Sequence, residues 1–356
     1  MIGIIGVSGE VGTLCYKLLV NSGLGGIIGG VRNKQLLNED DINYKYIDLM
    51  DKRSCFDFVK RCDFVINCAT ANHKGIYNLV EAVEFCGKIL FDLTYYEGFK
   101  LPKVSNASIY HGIGLSPGLT EALPKIMLEK FDSIIHFDLY YVAMDIFSYS
   151  AAKSYLEYIE SVDIYPMTEI KDGRLQAVSS NEKAIQFNII QKELEKIPYM
   201  DSRSISTCER LGIENARYSI CIPYGETYKF LMEREKYKKG LDYKIGKLVE
   251  ASMIDRQLYP LDSFIIADIN GVYEKKERKS CVVIKSSSSL KITVDVVISV
   301  LVLVKKTQLH CGIYDITDLN NLGTLLDIMS SIDPELYINI FDDKSVFEII
   351  QSEGEI

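Results

Sequence analysis

The sequence predicts an α/β protein with an N-terminal doubly wound parallel sheet and a second, α+β domain whose sheet is mainly antiparallel. Three observations support this fold class. Apolar strand patterns alternate with helix patterns through the first part of the 356 residues, and parallel strands require such crossover helices. A glycine-rich loop follows the first strand pattern. After about Phe131, residues alternate between apolar and polar, which is typical of antiparallel strands.

The parallel sheet is predicted from short apolar runs separated by amphipathic helices. In the first helix pattern, Val11, Leu14 and Leu18 lie on one side at helical spacing. The predicted strands cover residues 2–5, 25–31, 44–49, 64–67 and 89–91. The predicted helices cover residues 10–20, a segment around residues 56–59, and residues 75–86.

The second part of the chain combines strand patterns with C-terminal helix patterns. Lys171-Asp-Gly-Arg174 has the turn residues of a two-residue hairpin. Strands are predicted at residues 134–144, 218–222 and 280–285, and helices at residues 290–304, 319–330 and 334–341. We expect residues 1–130 to form a cofactor domain with residues 290–356 packing back on it. Residues 131–289 are expected to form a substrate and dimerisation domain.

Charge and hydropathy argue against two classes of partner. The formal net charge of −9 disfavours binding to nucleic acid and to anionic membrane surfaces. The longest apolar stretch, residues 292–304, is about 13 residues long and contains Asp295, whereas a membrane-spanning helix needs about 20 residues. The stretch therefore predicts a buried helix. We expect no signal peptide, no membrane association and no nucleic-acid partner.

The cysteines and histidines do not predict a metal site. The nine cysteines include no C-x-x-C pair and the four histidines are scattered, so the ligand spacing of a zinc site is absent. Some cysteines, such as Cys15 and Cys86, fall on apolar positions of predicted helices. Free buried thiols are the simplest interpretation, and they indicate a cytoplasmic protein.

A glycine loop after the first strand pattern predicts a dinucleotide site. Its sequence is Gly6-Val-Ser-Gly9-Glu-Val-Gly12. The first two glycines let the backbone turn and approach a pyrophosphate, the third lets the helix pack closely, and the helix N-terminus presents amides to the phosphates. This arrangement is typical of a Rossmann domain. The residues expected to bind the cofactor here are Gly6, Ser8, Gly9, Glu10, Val11 and Gly12.

The segment after the second strand pattern favours NADP(H) over NAD(H). NAD sites usually carry an acid there, bonded to the ribose hydroxyls. This chain instead has Arg32, Asn33 and Lys34, with no carboxylate beside them. A guanidinium can bind a 2′-phosphate through two parallel hydrogen bonds. We therefore expect NADP(H), with NAD(H) as the alternative.

The remaining cofactor contacts are expected from loops that follow the other strands. In a doubly wound sheet the cofactor crevice lies at the carboxyl ends of the strands. Small side chains after the fourth strand would let the nicotinamide ribose approach closely. The residues expected to contribute are Asp48, Cys68, Ala69, Thr70, Thr94, Ser116, Pro117 and Gly118.

Several segments together resemble the saccharopine dehydrogenase-like (saccharopine reductase) family. Asp92-Leu-Thr94-Tyr95 matches the family pattern D-x-[ST]-[YF], and Gly114-Leu-Ser-Pro117-Gly118-Leu matches G-x-x-P-G-[LI]. Phe147-Ser-Tyr149-Ser resembles the segment F-S-W-S at the start of the family's substrate domain. A helix that begins near Thr293 and is followed by Gly312-Ile-Tyr314 resembles its last part. The resemblance is strong over residues 1–160 and loose over residues 175–285.

The resemblance implies a Rossmann domain joined to an α+β domain, with the substrate between them. It also implies an NAD(P)-linked redox step at a C–N bond, such as reduction of an imine to a secondary amine. The chain departs from the family at Ser116, where saccharopine-forming enzymes often have aspartate, and at Tyr149, where the family has tryptophan. These departures leave the substrate open beyond a small amino-acid-like molecule or biosynthetic intermediate.

A proton donor would assist hydride transfer, because an iminium accepts hydride better than an imine. Tyr95, Tyr149 and Lys153 are the catalytic candidates, whereas a lone histidine such as His73 is more often structural. Tyr149 and Lys153 also match the Y-x-x-x-K pair of short-chain dehydrogenases, on one helix face. That family needs a serine about 13 residues upstream, where this chain has His136.

Two other functions stay open at this point. A carbonyl reductase would use Tyr149 and Lys153 as its proton-donating pair. A non-catalytic NADP-binding protein would keep the glycine loop without the reaction, and Ser116 in place of aspartate allows this. For an enzyme the expected partner is a small-molecule substrate. The antiparallel sheet of the second domain predicts a homodimer, because exposed sheet surfaces are often covered by a partner.

Overall fold

The chain divides into two compact units. The computed structural model describes residues 1–38, 43–96, 98–160, 163–178, 184–237, 240–260, 262–306 and 310–349. The first unit consists of Met1–Ala122 and Leu290–Pro334, and the second of Leu123–Ser289 and Glu335–Ile356.

The described ranges contain the following elements. The strands are β1 (Ile2–Ile5), β2 (Ile27–Val31), β3 (Tyr44–Tyr46), β4 (Phe64–Asn67), β5 (Ile89–Asp92), β6 (Ser108–His111), β7 (Ser133–Val142), β8 (Ile164–Pro166), β9 (Thr168–Lys171), β10 (Arg174–Ala177), β11 (Ala184–Gln186), β12 (Glu193–Asp201), β13 (Ala216–Ile222), β14 (Ser263–Tyr273), β15 (Lys276–Ser286), β16 (Gly312–Tyr314) and β17 (Tyr337–Asp342). The helices are α1 (Glu10–Ser22), α2 (Lys52–Val59), α3 (His73–Cys86), α4 (Leu119–Leu128), α5 (Tyr149–Ile159), α6 (Ser202–Leu211), α7 (Glu226–Glu233), α8 (Leu241–Leu258), α9 (Ser289–Lys306) and α10 (Leu325–Ile332).

The first unit contains a seven-stranded sheet in the order β16-β6-β5-β4-β1-β2-β3. Its strand pairings are parallel. In the sheet, β2 and β3 lie on one side of β1, and β4, β5 and β6 lie on its other side. The strand order therefore reverses between β1 and β4, which makes this place a topological switch point. Ile5 lies in register with Gly30 of β2 and Asn67 of β4. The carboxyl ends of these strands therefore meet at one edge of the sheet.

The strands of this sheet are apolar because helices cover them. All four residues of β1 are buried, as expected for a parallel strand with both faces covered. One core cluster joins Ile28 and Val65 of the sheet to Phe58 of α2 and Leu79 of α3. Each fully buried side chain of this size contributes about 1.5–3 kcal/mol to folding. This packing fixes the strand ends that carry the candidate site.

The second unit contains a ten-stranded, mainly antiparallel sheet. Its main path is β10-β9-β13-β7-β14-β15-β17, and β12 joins β13 to β11 and β8. The pairing of β7 with β13 is parallel. Tyr140, Val142 and Ile266 pack in one core cluster with Leu156 of α5 and Leu248 of α8.

The predicted fold class is confirmed, since one sheet is parallel and the other mainly antiparallel. The predicted hairpin is confirmed as well, between β9 and β10. Its central residues Asp172 and Gly173 have φ angles of 51° and 69°. A two-residue loop of type I′ needs positive φ at both positions, which an Asp-Gly pair provides.

The prediction of a helix over residues 334–341 is wrong. Strand β17 occupies this segment and pairs antiparallel with β15, with Ile338 beside Ile284 and Ile340 beside Val282. Strand β17 is thus grouped with the second unit, whereas Leu290–Pro334 is grouped with the first. The physical reason is the alternation of the β-branched residues Ile338 and Ile340 after Pro334, which suits a strand paired with β15.

Helix α9 is the buried helix that its apolar stretch predicted. Eleven of its residues are buried, including Asp295 and Ser299. Across the described ranges, no helix combines the length and the apolar character that crossing a bilayer requires.

Candidate cofactor-binding site

The candidate site lies at the edge of the first unit's sheet where the carboxyl ends of β1, β4 and β5 meet. All the cofactor residues predicted from the sequence belong to this unit and come after its strands. Ser8, Gly9 and Glu10 are exposed, and so is Thr70 after β4. The structure therefore brings the predicted loops to one edge of one sheet.

The glycine loop is too closely packed for side chains at two of its positions. Gly6 has φ +78°, and a Cβ on it would lie 3.0 Å from the Cβ of Ala69. A Cβ on Gly12 would lie 2.2 Å from the carbonyl oxygen of Gly6 and 2.7 Å from the Cα of Val7. The loop thus contacts both the chain after β4 and the first turn of α1. Only glycine permits this packing.

The N-terminus of α1 has no side-chain cap. Its N-cap residue is Gly9, whereas Asp51 and Asn72 cap α2 and α3 by accepting hydrogen bonds from backbone amides. The amide of Gly9 donates to the carbonyl of Gly6 over 3.0 Å, which shapes the loop. No side chain caps the first amides of α1, which include those of Glu10 and Val11, and such amides have no partner within the helix. This cradle of glycines fits a pyrophosphate.

The segment after β2 carries exposed cationic side chains. Arg32, Asn33 and Lys34 are all exposed. The Asn33 side chain accepts a hydrogen bond from the amide of Gln35 over 3.0 Å and so shapes the turn. The Lys34 ammonium lies 4.9 Å from the ring centroid of Tyr46. These charges stand beside the loop on the side where the second strand ends.

Asp48 has a structural role in the turn between β3 and α2. Its side chain accepts a hydrogen bond from the amide of Met50 over 3.0 Å, and its own amide donates to Ser54 Oγ over 2.8 Å. Both bonds hold the turn that follows β3.

The last residues of three neighbouring strands are polar and lie side by side. Asn67 ends β4, Asp92 ends β5 and His111 ends β6, and the register pairs Asn67 with Asp92 and Asp92 with His111. Sequence reasoning gave none of these three side chains a role. The signal that could have found them is that each otherwise buried, mainly apolar run ends in a polar residue.

Asp92 is the centre of a buried hydrogen-bond network. It is 0% exposed. Its carboxylate accepts hydrogen bonds from Asn67 Nδ2 at 3.0 Å, from the Thr94 amide at 2.8 Å and from the Tyr96 hydroxyl at 2.7 Å. Asn67 Oδ1 in turn accepts from the Ala69 amide at 3.1 Å. The network therefore fixes two predicted cofactor residues, Ala69 and Thr94.

Burial controls the ionisation of this network. It raises the pKa of Asp92 to about 6, against the opposing effect of the hydrogen bonds from Tyr96, Thr94 and Asn67. Burial and the Asp92 charge raise the pKa of Tyr96 well above its usual value. Burial lowers the pKa of His111, whose ring stacks on Tyr96 with centroids 4.7 Å apart. At neutral pH, Asp92 is thus the anionic member of the network.

The turn after β6 is built on glycines. Gly112 has φ +59°, and a Cβ there would lie 2.7 Å from the ring of Tyr95. Gly118 has φ +134°, and its Cβ would lie 2.1 Å from the carbonyl oxygen of Gly114. Ser116 is exposed, and its peptide bond to Pro117 is cis. The turn thereby holds the Tyr95 ring beside the ends of β5 and β6.

The candidates Tyr149 and Lys153 lie on α5 in the second unit, and each has a different partner. The Tyr149 hydroxyl donates to Asp242 Oδ1 over 2.7 Å. The Lys153 ammonium lies 3.8 Å from Glu157 Oε1. The hydrogen bond to Asp242 raises the pKa of Tyr149, whereas a Y-x-x-x-K donor needs a lowered one.

The remaining observations concern His73 and the residue types that could bind a metal ion. The His73 ring stacks on Phe99 with centroids 3.9 Å apart, which is a packing contact. In the part of the chain that the structure describes, histidine, cysteine and acidic side chains form no group of three able to hold a metal ion.

Together the sheet order, the switch point and the glycine cradle define a Rossmann-type α/β unit, joined in one chain to an α+β unit. A scan of protein-family models gives no match, and a search of curated proteins gives none. Among solved structures, the chain is similar to saccharopine dehydrogenase (L-Glu forming) from Saccharomyces cerevisiae, with a TM-score of 0.68 and 13% identity over 96% of this chain and 99% of that one. The resemblance expected from the sequence is confirmed at the level of the fold.

Two other solved structures are less similar. Diaminopimelate (DAP) dehydrogenase of C. glutamicum in complex with DAP has a TM-score of 0.46 and 12% identity over 92% of this chain and 95% of that one. An engineered D-amino acid dehydrogenase bound to NADP+ has a TM-score of 0.42 and 10% identity over 92% and 95%. Both scores are below 0.5, so these two similarities carry no argument about the fold.

Proposed function

We propose that this protein is an NADP(H)-dependent oxidoreductase that transfers hydride at a C=N or C–N bond of a small, amino-acid-like substrate. The observation that carries the proposal is the uncapped start of α1 behind a glycine cradle, at the switch point of a parallel sheet. Doubly wound proteins bind dinucleotides at that place. The substrate class comes from the neighbour in fold, whose name is saccharopine dehydrogenase.

The residues for cofactor binding follow from the chemistry of each cofactor group. Amides at the start of α1, including those of Glu10 and Val11, donate to the pyrophosphate. The Arg32 guanidinium and the Lys34 ammonium are the groups for the 2′-phosphate, which favours NADP(H) over NAD(H). When bound, the nicotinamide supplies or accepts the hydride.

The protein's own contribution to the reaction is positioning and one proton. Hydride transfer gains most of its acceleration when the two reacting carbons are held in place. Ala69 and Thr94 lie on the turns after β4 and β5, which the Asp92 network fixes. We assign the proton donor to Tyr95, because its ring is held at this edge by Gly112. The Tyr149 hydroxyl already donates to Asp242.

Replacing the closest-packed glycine tests the cofactor assignment. In Gly12→Val the new side chain meets the carbonyl oxygen of Gly6, where a Cβ would lie at only 2.2 Å. We expect loss of more than about 100-fold in NADPH affinity, because the loop and the start of α1 must separate. Titration calorimetry measures the affinity, and thermal unfolding confirms that the variant is folded.

A matched control is Gly246→Val in α8, where a Cβ would meet nothing within 4 Å. This variant should bind NADPH like the unchanged protein.

The unchanged protein should also bind NADPH more tightly than NADH and oxidise NADPH with an imine formed from an amine and a keto acid. Absence of binding to either coenzyme would refute the proposal, and tighter binding of NADH would refute the NADP(H) assignment alone.

The proposal includes the second unit and the setting of the enzyme. We assign substrate recognition and homodimerisation to the second unit, whose edge strand β10 has four exposed residues and an unpaired side among the described strands. Sedimentation of the purified protein tests the dimer. All nine cysteines are free thiols, which supports a reducing, cytoplasmic setting.

A further inference from the structure

The buried Asp92 carboxylate lies on the half of the sheet edge that serves the nicotinamide side of a dinucleotide. A doubly wound sheet has two mononucleotide-binding halves, and here β1, β2 and β3 form one while β4, β5 and β6 form the other. Asp92 ends the middle strand of the second half. With the pyrophosphate at the start of α1 and the 2′-phosphate at Arg32, the nicotinamide falls to this second half.

The hydrogen-bond geometry around Asp92 favours its ionised form over its neutral form. Asn67 Nδ2 at 3.0 Å, the Thr94 amide at 2.8 Å and the Tyr96 hydroxyl at 2.7 Å all donate to it. Three donors converging on one carboxylate match its acceptor-only, ionised state. No positively charged side chain in the described ranges hydrogen bonds to Asp92, so its charge is not neutralised by an ion pair.

We propose that Asp92 is a positioning residue whose negative charge makes the site bind the oxidised cofactor in preference to the reduced one. The nicotinamide ring is cationic when oxidised and neutral when reduced, so a nearby buried anion stabilises the oxidised form selectively. Its hydrogen bonds set the turns that carry Ala69 and Thr94. This inference rests on the proposed function, because it presupposes a nicotinamide cofactor at this edge.

The groups that face Asp92 determine how the preference depends on pH. Burial raises its pKa to about 6. Tyr96 and Cys68 have pKa values raised well above their usual ones, Tyr96 chiefly by burial and Cys68 chiefly by a hydrogen bond with Cys15, so both are neutral below pH 8. His111, stacked on Tyr96, has its pKa lowered by burial, against the raising effect of Asp315 and Asp318.

As the pH falls from 8 to 5.5, Asp92 gains a proton and the preference for the oxidised cofactor weakens. We expect the ratio of the NADP+ and NADPH affinities to fall about threefold over this range, as linkage to a group titrating near 6 requires. The 2′-phosphate of the cofactor also titrates, but it is common to both forms and cancels in the ratio. A positive charge gained by His111 at low pH would also weaken the preference for NADP+. A variant is therefore needed to isolate the contribution of Asp92.

The test compares Kd values for NADP+ and NADPH at pH 5.5 and pH 8, measured by calorimetry on the unchanged protein and on Asp92→Asn. The asparagine keeps the shape and removes the charge. We expect this variant to bind NADP+ about tenfold more weakly at pH 8 while NADPH binding changes less than threefold. Its affinity ratio should depend on pH only through His111.

The matched control is Asp295→Asn, a second buried carboxyl of the same unit, 1% exposed and outside the network. It should leave both affinities unchanged. Equal weakening of both forms in Asp92→Asn, or no weakening of either, overturns the inference while the proposed function stands. If Asp92→Asn does not fold, Tyr96→Phe replaces it. This variant removes a hydrogen bond that lowers the Asp92 pKa, so the pH at which the preference for NADP+ weakens must rise, and an unchanged pH dependence overturns the inference. If the unchanged protein binds neither form, the proposed function itself fails.

Discussion

Two buried carboxyl groups of the first unit, Asp92 and Asp295, have equal burial and opposite surroundings. They are 0% and 1% exposed. Asp92 receives hydrogen bonds from Asn67, Thr94 and Tyr96. Asp295 Oδ2 has no hydrogen-bond partner among the described residues. Burial raises the pKa of Asp92 to about 6 and that of Asp295 to about 8, the latter with help from the charge of Asp333.

Hydrogen-bond donors and neighbouring charges, rather than burial alone, therefore separate the pKa values of these two buried acids. Hydrogen bonds to the ionised form offset part of the desolvation penalty at Asp92, and nothing comparable does so at Oδ2 of Asp295. Asp92 is anionic at pH 7 and stands at the edge where we propose that the cofactor binds. Asp295 is protonated at pH 7 and stands inside the apolar helix α9. Asp92 is held by hydrogen-bond donors at the proposed site, whereas Asp295 is expected to lower stability as it ionises.

The largest expected effect is the loss of the Asp92 acceptor. Asp92→Ala leaves the buried Asn67 amide, the Thr94 amide and the Tyr96 hydroxyl without their acceptor, and each orphaned donor costs about 1–3 kcal/mol. The variant also lacks the desolvation penalty of the buried carboxylate, which offsets part of this cost. We therefore expect the free energy of unfolding to fall by about 4 kcal/mol at pH 7. Urea unfolding monitored by circular dichroism measures it. An unchanged midpoint would mean that the network does not hold the turns.

The same substitution at Asp295 should have the opposite sign. A folded-state pKa of about 8 lies above the unfolded value of about 4. The contribution of Asp295 to stability is therefore greatest below pH 4 and is lost as the pH rises to 8, at about 1.4 kcal/mol per pH unit. Asp295→Ala removes this loss but leaves a small cavity. We expect the free energy of unfolding of Asp295→Ala to exceed that of the unchanged protein by about 3 kcal/mol at pH 8.5 and to differ little from it at pH 5.

The pH dependence is the decisive part of this second measurement. The free energy of unfolding of the unchanged protein should decline between pH 4 and pH 8, and the decline should be shallower in Asp295→Ala. Ser299→Ala, which removes a second buried and unpartnered polar atom of α9, is the control, because it should change stability without changing the slope. Equal signs for the two aspartate variants would contradict the contrast drawn between their surroundings.

The parts of the site that the sequence predicted are those specified by local pattern. The loop from Gly6 to Gly12 follows an apolar run and precedes an amphipathic helix, so its place at a strand end needed no tertiary information. The Asp92 network was missed because Asn67 and His111 come from strands 25 and 19 residues away in sequence. Only the register of the sheet shows that the three strand ends are neighbours.

The C-terminal strand was missed for a related reason. The run after Pro334 is short, and a short apolar run fits a helix or a strand equally well until its partner is known. Strand β17 is fixed by pairing with β15, where Ile338 and Ile340 meet Ile284 and Val282. Long-range pairing of this kind overrides local propensity, and a single sequence does not contain the pairing.

The smallest expected effect concerns Lys153, which local pattern marked as catalytic. The Y-x-x-x-K spacing holds on α5, but Lys153 pairs with Glu157 while the Tyr149 hydroxyl donates to Asp242. That hydrogen bond raises the pKa of Tyr149, so the tyrosine is a poorer proton donor than its spacing suggests.

We expect Lys153→Ala to keep kcat/KM for imine reduction within about threefold, since only an exposed ion pair is lost. Steady-state kinetics with NADPH measures this, with Lys247→Ala, which breaks a similar exposed pair on α8, as the control. A loss above about 100-fold in Lys153→Ala alone would favour the carbonyl reductase alternative and move the proton donor from Tyr95 to Tyr149.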